Sequence, residues 1–239
     1  MMLLPVRFLE WNYFPRGKVL HEMANKPAVG DMNRFLLNSV RHNPALCTAC
    51  CKDDGSVFLN AKIVGIGYVV REGLVENTVR AFAEHIERGD AVFENARTKE
   101  EKEKASNEYQ KRGAGLLVEQ LYFEGLEEAE RHIDFSKMAT IELALNKPNS
   151  SRHTWLIVQR NQSAVLLFYQ PPMVSFEIRG NIEIHEGDAY HKLVNLVHDA
   201  FHYAPPERRA SGNKPVYIFK VQEVYDNSAS MEGFGTKLA

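Results

Sequence analysis

The chain has 239 residues, 44% of them hydrophobic and 25% charged, with a formal charge of −2. That balance suits a globular protein with a sizeable core and argues against a nucleic-acid partner, which needs clustered Lys and Arg to displace counterions. No apolar run approaches the ~20 residues of a membrane span, and the opening MMLLPVRFLEWNYFPRG has too short an apolar run for a signal peptide. The expectation is a cytoplasmic protein with no membrane partner.

Residues 1–30 mix Pro, Gly, aromatics and charge without a period, and read as an extension that wraps onto the body or a partner. DMNRFLLNSVRHN, residues 31–43, predicts a short helix with Asp31 as N-cap and Phe35, Leu36, Leu37 and Val40 on its apolar side. ALCTACCKDDGSVFLNAKIVGIGYVV then reads as strand, Asp-Gly turn, strand, a hairpin over 45–71. It holds all three cysteines, Cys47, Cys50 and Cys51. No further cysteine pair completes a four-thiolate cluster, and although C-x-x-C can be redox-active at a helix N-terminus, small semi-polar residues packing in a sheet is the simpler reading.

From Leu74 the pattern turns helical: LVENTVRAFAEHIERG, ARTKEEKEKASNEYQKRG and AGLLVEQLYFEGLEEAERHI, punctuated by glycines 89, 113, 115 and 125. The mixed-sign run TKEEKEKASNEYQKR is most simply a solvated helix face. This predicts a helical insertion over 74–132 within a single domain spanning 1–239. Strands return as MATIELAL, HTWLIVQ, SAVLLFYQ and MVSFEIRGNIEIHE, with Gly180 as a candidate bulge. The pattern suggests an antiparallel meander of the kind that hides its edges by closing into a barrel.

HKLVNLVHDAFH, residues 191–202, places three histidines on a helix that begins near Asp188 and stops at Pro205 and Pro206. His198 and His202 lie about 20° to either side of His191, but the step from His191 to His198 is roughly 10.5 Å along the axis. One zinc ion, bonded at about 2.0–2.1 Å, cannot join all three. His198 and His202 alone could share a metal, with a third ligand from His185 or Asp199, yet the Glu of an H-E-x-x-H signature is missing. Polar helix-edge histidines flanking the apolar stripe of Tyr190, Leu193, Val194, Val197 and Phe201 are the expected reading, with no metal bound. PVYIFKVQEVY predicts a last strand before the tail DNSASMEGFGTKLA.

The order of elements, with FYQPPMVSFEIRGNIEIHEGDAYHKLVN at 168–195 and the C-terminal IFKVQEVYDNSASMEGFGTKLA, resembles the pyridoxamine 5'-phosphate oxidase-like FMN-binding split-barrel family. The resemblance is one of pattern and strand order over roughly half the chain. The chain departs from it in its long helical insertion and in having no clear copy of a short Lys-x-x-Asn-like phosphate segment, for which VENTVRAF would have to stand in. The resemblance implies an α+β fold, an antiparallel split β-barrel with a helical insertion and flanking helices. It also implies FMN held at a homodimer interface and a flavin-dependent oxidoreductase or reductase acting on a small-molecule substrate.

FMN needs a clamp for a phosphate dianion and a flat apolar slot. The candidates are Arg152, His153 and Thr154 in SSRHTW, with Trp155 either as a ring wall or in the core. Lys62, two residues after Asn60 on the same strand face, could reach the phosphate, or could be an ordinary exposed strand lysine. Gln170, before Pro171-Pro172, could meet the ring edge or simply end a strand. A dimer would also cover the aromatic segment LEWNYF. No residue pattern names a catalytic acid or base, so a non-enzymatic flavin- or ligand-binding protein is the alternative, and a metal-dependent hydrolase using His198 and His202 a more distant one.

Overall fold

A computed structural model of the chain describes residues 3–25, 40–143, 150–201, 203–212 and 214–239. Most of the helix expected over 31–43 lies outside them, as does His202.

Among the described residues, eight strands form one antiparallel sheet: β1 Ala45–Cys51, β2 Val57–Ile63, β3 Gly67–Val70, β4 Ile133–Ile141, β5 Ser163–Gln170, β6 Val174–His185, β7 Val216–Asp226 and β8 Thr236–Lys237. Their spatial order is β2-β1-β5-β6-β7-β4-β3, with β8 added to β7. This is not a sequential meander. The hairpin is shorter than expected: β1 pairs with β2 from Ala45↔Ile63 to Cys51↔Val57 around a turn in which Gly55 takes φ 81°, whereas β3 leaves to pair with β4. The two edges, β2 and β3, are not bonded to each other among the described residues. The sheet nevertheless curls, because Lys62 on the β2 edge reaches Glu142, just past β4 near the opposite edge, at 2.7 Å.

The register of β6 on β7 shifts between Arg179 and Gly180, as the glycine suggested, and a side chain at Gly180 would run into the backbone carbonyl of Lys220. A bulge here lets two neighbouring strands approach where only a glycine fits.

The helices with described bounds that accompany the sheet are α1 Val6–Trp11, α2 Tyr13–Asn25, α3 Val75–Asn95, α4 Lys99–Leu121, α5 Leu126–His132, α6 His153–Val158, α7 Ala189–Phe201 and α8 Pro206–Gly212. Of the extension expected over residues 1–30 to wrap onto the body or a partner, the described part forms α1 and α2 and wraps onto the body. Phe8 meets Phe168 and Phe176 at 5.1 and 5.4 Å, and Tyr13 packs edge-on to Tyr68 and Phe135. LEWNYF is therefore covered by its own chain, which removes that argument for a dimer.

HTWLIV is a second correction. It forms α6, whose buried Thr154, Ile157 and Val158 follow helical i, i+3, i+4 spacing. The glycines at 89 and 113 do not break helices either: they lie inside α3 and α4 where Tyr109 and the Ala200 carbonyl come close. α4 starts with a capping box, Thr98 Oγ accepting from the Glu101 amide at 3.1 Å while Glu101 accepts from the Thr98 amide at 2.9 Å. No helix among the described residues is long and apolar enough to cross a membrane.

Ahead of β1, His42 is half-buried; burial, helped by the Arg16 cation, lowers it to about 3. Its unfolded value is near 6.5, so between these limits the unfolded chain takes up a proton that the folded chain refuses. His42 thus supports stability fully above pH 6.5, and the contribution drains away as pH falls toward 3. Because part of the residue reaches solvent, a loss of about 1–2 kcal/mol between pH 6.5 and 5 is expected, below the full linkage slope. Urea unfolding at the two pH values should show a smaller loss in His42→Gln. Equal losses in both proteins would show that other groups drive the acid sensitivity.

Candidate functional site

Strand alternation divides the side chains of β2 between two environments. Phe58, Asn60 and Lys62 are half-buried on the concave side of the curled sheet, while Val57, Leu59, Ala61 and Ile63 point to water. α6 lies against the concave side. Thr154 Oγ accepts from Asn60 Nδ2 at 2.8 Å, and the His153 ring stands edge-on to Phe58 at 5.2 Å. Trp155 lies nearly parallel to Tyr217 of β7, ring centres 6.5 Å apart.

Lys62 closes the other side. Its ammonium donates to Glu142 at 2.7 Å, and the same carboxylate oxygen accepts from the Tyr217 hydroxyl at 2.9 Å. Glu142 is 1% exposed and Lys62 27%, so a buried carboxylate faces a lysine that still touches water. Burial, reinforced by the Glu142 charge, raises the Tyr217 phenol well above its ordinary range, keeping it a hydrogen-bond donor. Arg152 heads α6 in the left-handed region, φ 53°, with an exposed side chain.

Of the five expected cofactor residues, His153 and Thr154 contact Phe58 and Asn60 of β2, Lys62 follows on the same face of that strand, and Arg152 precedes His153 at the start of α6. Gln170 belongs elsewhere: its Oε1 accepts from Trp11 Nε1 at 3.1 Å and Arg41 Nε at 3.2 Å, a contact that fastens α1. Glu142 and Tyr217 were not singled out from the sequence. The available signal was an acidic residue inside the apolar run MATIELAL, where a carboxylate needs a partner.

Of the histidine stripe, the described His191 and His198 make structural contacts, as does His185 nearby. His191 is buried and its backbone amide donates to Asp188 Oδ1, the helix cap; His198 bonds Asp199; His185 bonds Asp188 at 2.6 Å. No group of three His, Cys, Asp or Glu side chains able to hold a metal ion occurs among the described residues. Cys47 lies in a groove on the convex side, where burial and then the Glu177 carboxylate push its thiol up, against reactivity. In VENTVRAF, Asn77 accepts from Arg80 and Thr78 donates to Gln120, at the start of α3.

The chain matches no family profile and no curated protein. Among solved structures it is similar over 82% of its length to HupZ of Group A Streptococcus, with 11% identity, 90% of that chain covered and a TM-score of 0.38. It is similar over the same share to a Listeria innocua protein assigned as a candidate pyridoxamine 5'-phosphate oxidase, with 10% identity, 98% of that chain covered and a TM-score of 0.35. The class defined by the coordinates themselves is a mixed protein of helices on a curled antiparallel sheet.

Proposed function

We propose that the chain is an FMN-binding oxidoreductase that works on a small-molecule substrate as a homodimer. The reading is supported by Lys62 on the same face of β2 as the Phe58 and Asn60 that His153 and Thr154 of α6 contact, with Arg152 at the start of α6 and Trp155 as a flat wall. These residue types fit the group: a phosphate dianion needs charge-assisted donors, and a flavin ring needs an apolar face. Because Glu142 already takes up the charge of Lys62, Arg152 carries the larger share of phosphate binding and Lys62 the smaller. Thr154 and His153 orient the phosphate end. When bound, the flavin supplies the redox chemistry, and the chain's contribution is position and electrostatics.

Fluorescence titration of flavin-free protein with FMN and riboflavin tests this. Arg152→Ala is expected to weaken FMN roughly 10- to 150-fold, the loss of one charge-assisted fork of about 1.5–3 kcal/mol. Riboflavin lacks the phosphate and is expected to bind wild type and variant alike. Equal losses for both ligands would move Arg152 away from the phosphate, and folded wild type that binds neither would remove the flavin reading.

A further inference from the structure

Lys62, the strand cation assigned to the phosphate end of the ligand, is already neutralised within the chain. It follows Phe58 and Asn60 on the face of β2 that α6 contacts. Its ammonium lies 6.0 Å from the centre of the Tyr217 ring, against which Trp155 of α6 also stacks. Glu142 meets that ammonium at 2.7 Å. The two charges cancel, so the pair adds no net positive charge to the seam between β2 and α6.

The pair is asymmetric. Glu142 is 1% exposed, and the oxygen that accepts from Lys62 also accepts from the Tyr217 hydroxyl at 2.9 Å, which makes the carboxylate the fixed member. Lys62 is 27% exposed and carries its ammonium on a flexible four-carbon stem, which makes it the member that can turn toward solvent. The bond to Glu142 uses one of the three N–H donors of the ammonium. An anion arriving from the solvent side meets the positive end of the pair first, with the negative end a few ångströms behind it. Water is partly excluded here, so neither charge is screened away.

We infer that Glu142 is a built-in competitor for the anionic end of the ligand, holding Lys62 until an anion draws it away and limiting how much negative charge the seam accepts. The inference rests on the proposed phosphate end at this seam and adds the residue that restrains its binding. Release of Lys62 does not strand the carboxylate: Tyr217 still donates to Glu142, and burial keeps that phenol protonated. The charge count then fixes an order of affinities. Wild type carries the cation and the anion, Glu142→Gln the cation alone, Lys62→Ala the anion alone, and the double variant neither. A phosphate dianion favours Glu142→Gln, treats wild type and the double variant nearly alike, and binds Lys62→Ala most weakly.

The test is titration of these four proteins, flavin-free, with FMN and riboflavin by fluorescence and with inorganic phosphate by calorimetry. Glu142→Gln is expected to bind FMN about 10-fold tighter than wild type, Lys62→Ala about 10-fold weaker, and the double variant within about threefold of wild type. Riboflavin, which lacks the phosphate, is expected to stay within about twofold throughout, and so reports any loosening of the seam itself. Asp53→Asn removes a charge of the same sign from the exposed hairpin turn and is expected to leave FMN within about twofold. The inference is overturned if Glu142→Gln binds FMN no tighter than wild type, if riboflavin gains equally, or if the gain is kept in the double variant or matched by Asp53→Asn. Should Lys62→Ala lose its fold, Glu142→Gln against wild type decides. If Arg152→Ala weakens FMN while the four proteins bind it alike, the flavin reading stands and the competitor falls. If none binds either flavin, the flavin reading falls and phosphate decides: the same order keeps the competitor, and a flat order or no binding overturns it.

Discussion

Lys62→Ala is expected to cost the folded chain about 2–3 kcal/mol, far more than removal of an ordinary strand lysine. The reason is asymmetry of burial. Glu142 is 1% exposed and accepts from both Lys62 and the Tyr217 hydroxyl, so deleting the ammonium takes a charged donor from a carboxylate that cannot reach water. The partial exposure of Lys62, 27%, holds the estimate below the 3–5 kcal/mol of a fully buried pair. Glu142→Gln keeps the size and an acceptor for Tyr217 while removing the charge, and is expected to cost about 1 kcal/mol. In the Lys62→Ala, Glu142→Gln double variant the losses should not add, because the charge that made the first substitution expensive has gone. Urea unfolding of the four proteins measures the coupling. A Lys62→Ala loss below about 0.5 kcal/mol would place the pair among surface ion pairs and return Lys62 to the phosphate as a free cation. The cycle also guards the binding assay, since flavin lost from Lys62→Ala could reflect a weakened seam between β2 and β4.

What was legible follows from how local each signal is. SAVLLFYQ, MVSFEIRGNIEIHE and PVYIFKVQEVY announce strands through branched and aromatic residues, and the Gly180 bulge could be placed because a glycine inside such a run needs a reason. The start of α7 was readable because Asp188 caps it with its own side chain. HTWLIV carries the same residue types as a strand in only six helical residues, too few turns for a helical period to stand out, and tertiary burial of Thr154, Ile157 and Val158 decides its form. α1 is equally short, and Phe8 and Leu9 are both buried, so it shows no amphipathic stripe. Strand order is not local at all: the jump from β1 to β5 joins residues more than a hundred positions apart. The same limit applies to the seam. Lys62 and SSRHTW could be chosen for their chemistry, but the contact of α6 with the Lys62 face of β2, and the claim of Glu142 on Lys62, depend on the curl of the sheet.

Two glycines on one helix, Gly113 and Gly115 of α4, are expected to respond to alanine with opposite signs. In an open helical position Gly→Ala gains up to about 1 kcal/mol through backbone entropy. Gly115 is such a position, since among the described residues a methyl there would meet only the Ala24 methyl at 3.7 Å, an ordinary contact. At Gly113 the methyl would be driven into the backbone carbonyl of Ala200, in the last turn of α7. That turn has carbonyls with no partner inside its own helix. The helical insertion supplies two: Tyr109 Oη donates to the Asp199 carbonyl at 2.8 Å, and His85 Nε2, kept neutral by burial, donates to the Ala200 carbonyl at 3.1 Å. Both donors depend on the close approach of α3 and α4 to α7, with Tyr109 itself lying against Gly89. Separating the helices enough to admit a methyl loosens both hydrogen bonds and the stacking of His85 on Tyr109. Overpacking of about 1–3 kcal/mol plus about 1 kcal/mol per weakened bond exceeds the gain in helix propensity, for a net loss of about 2–4 kcal/mol in Gly113→Ala. Thermal and urea unfolding of the two variants should therefore move in opposite directions from wild type. If both substitutions stabilised the chain alike, α4 and α7 could not be packed as closely as the Gly113 contact requires, and the carbonyls of α7 would need other donors.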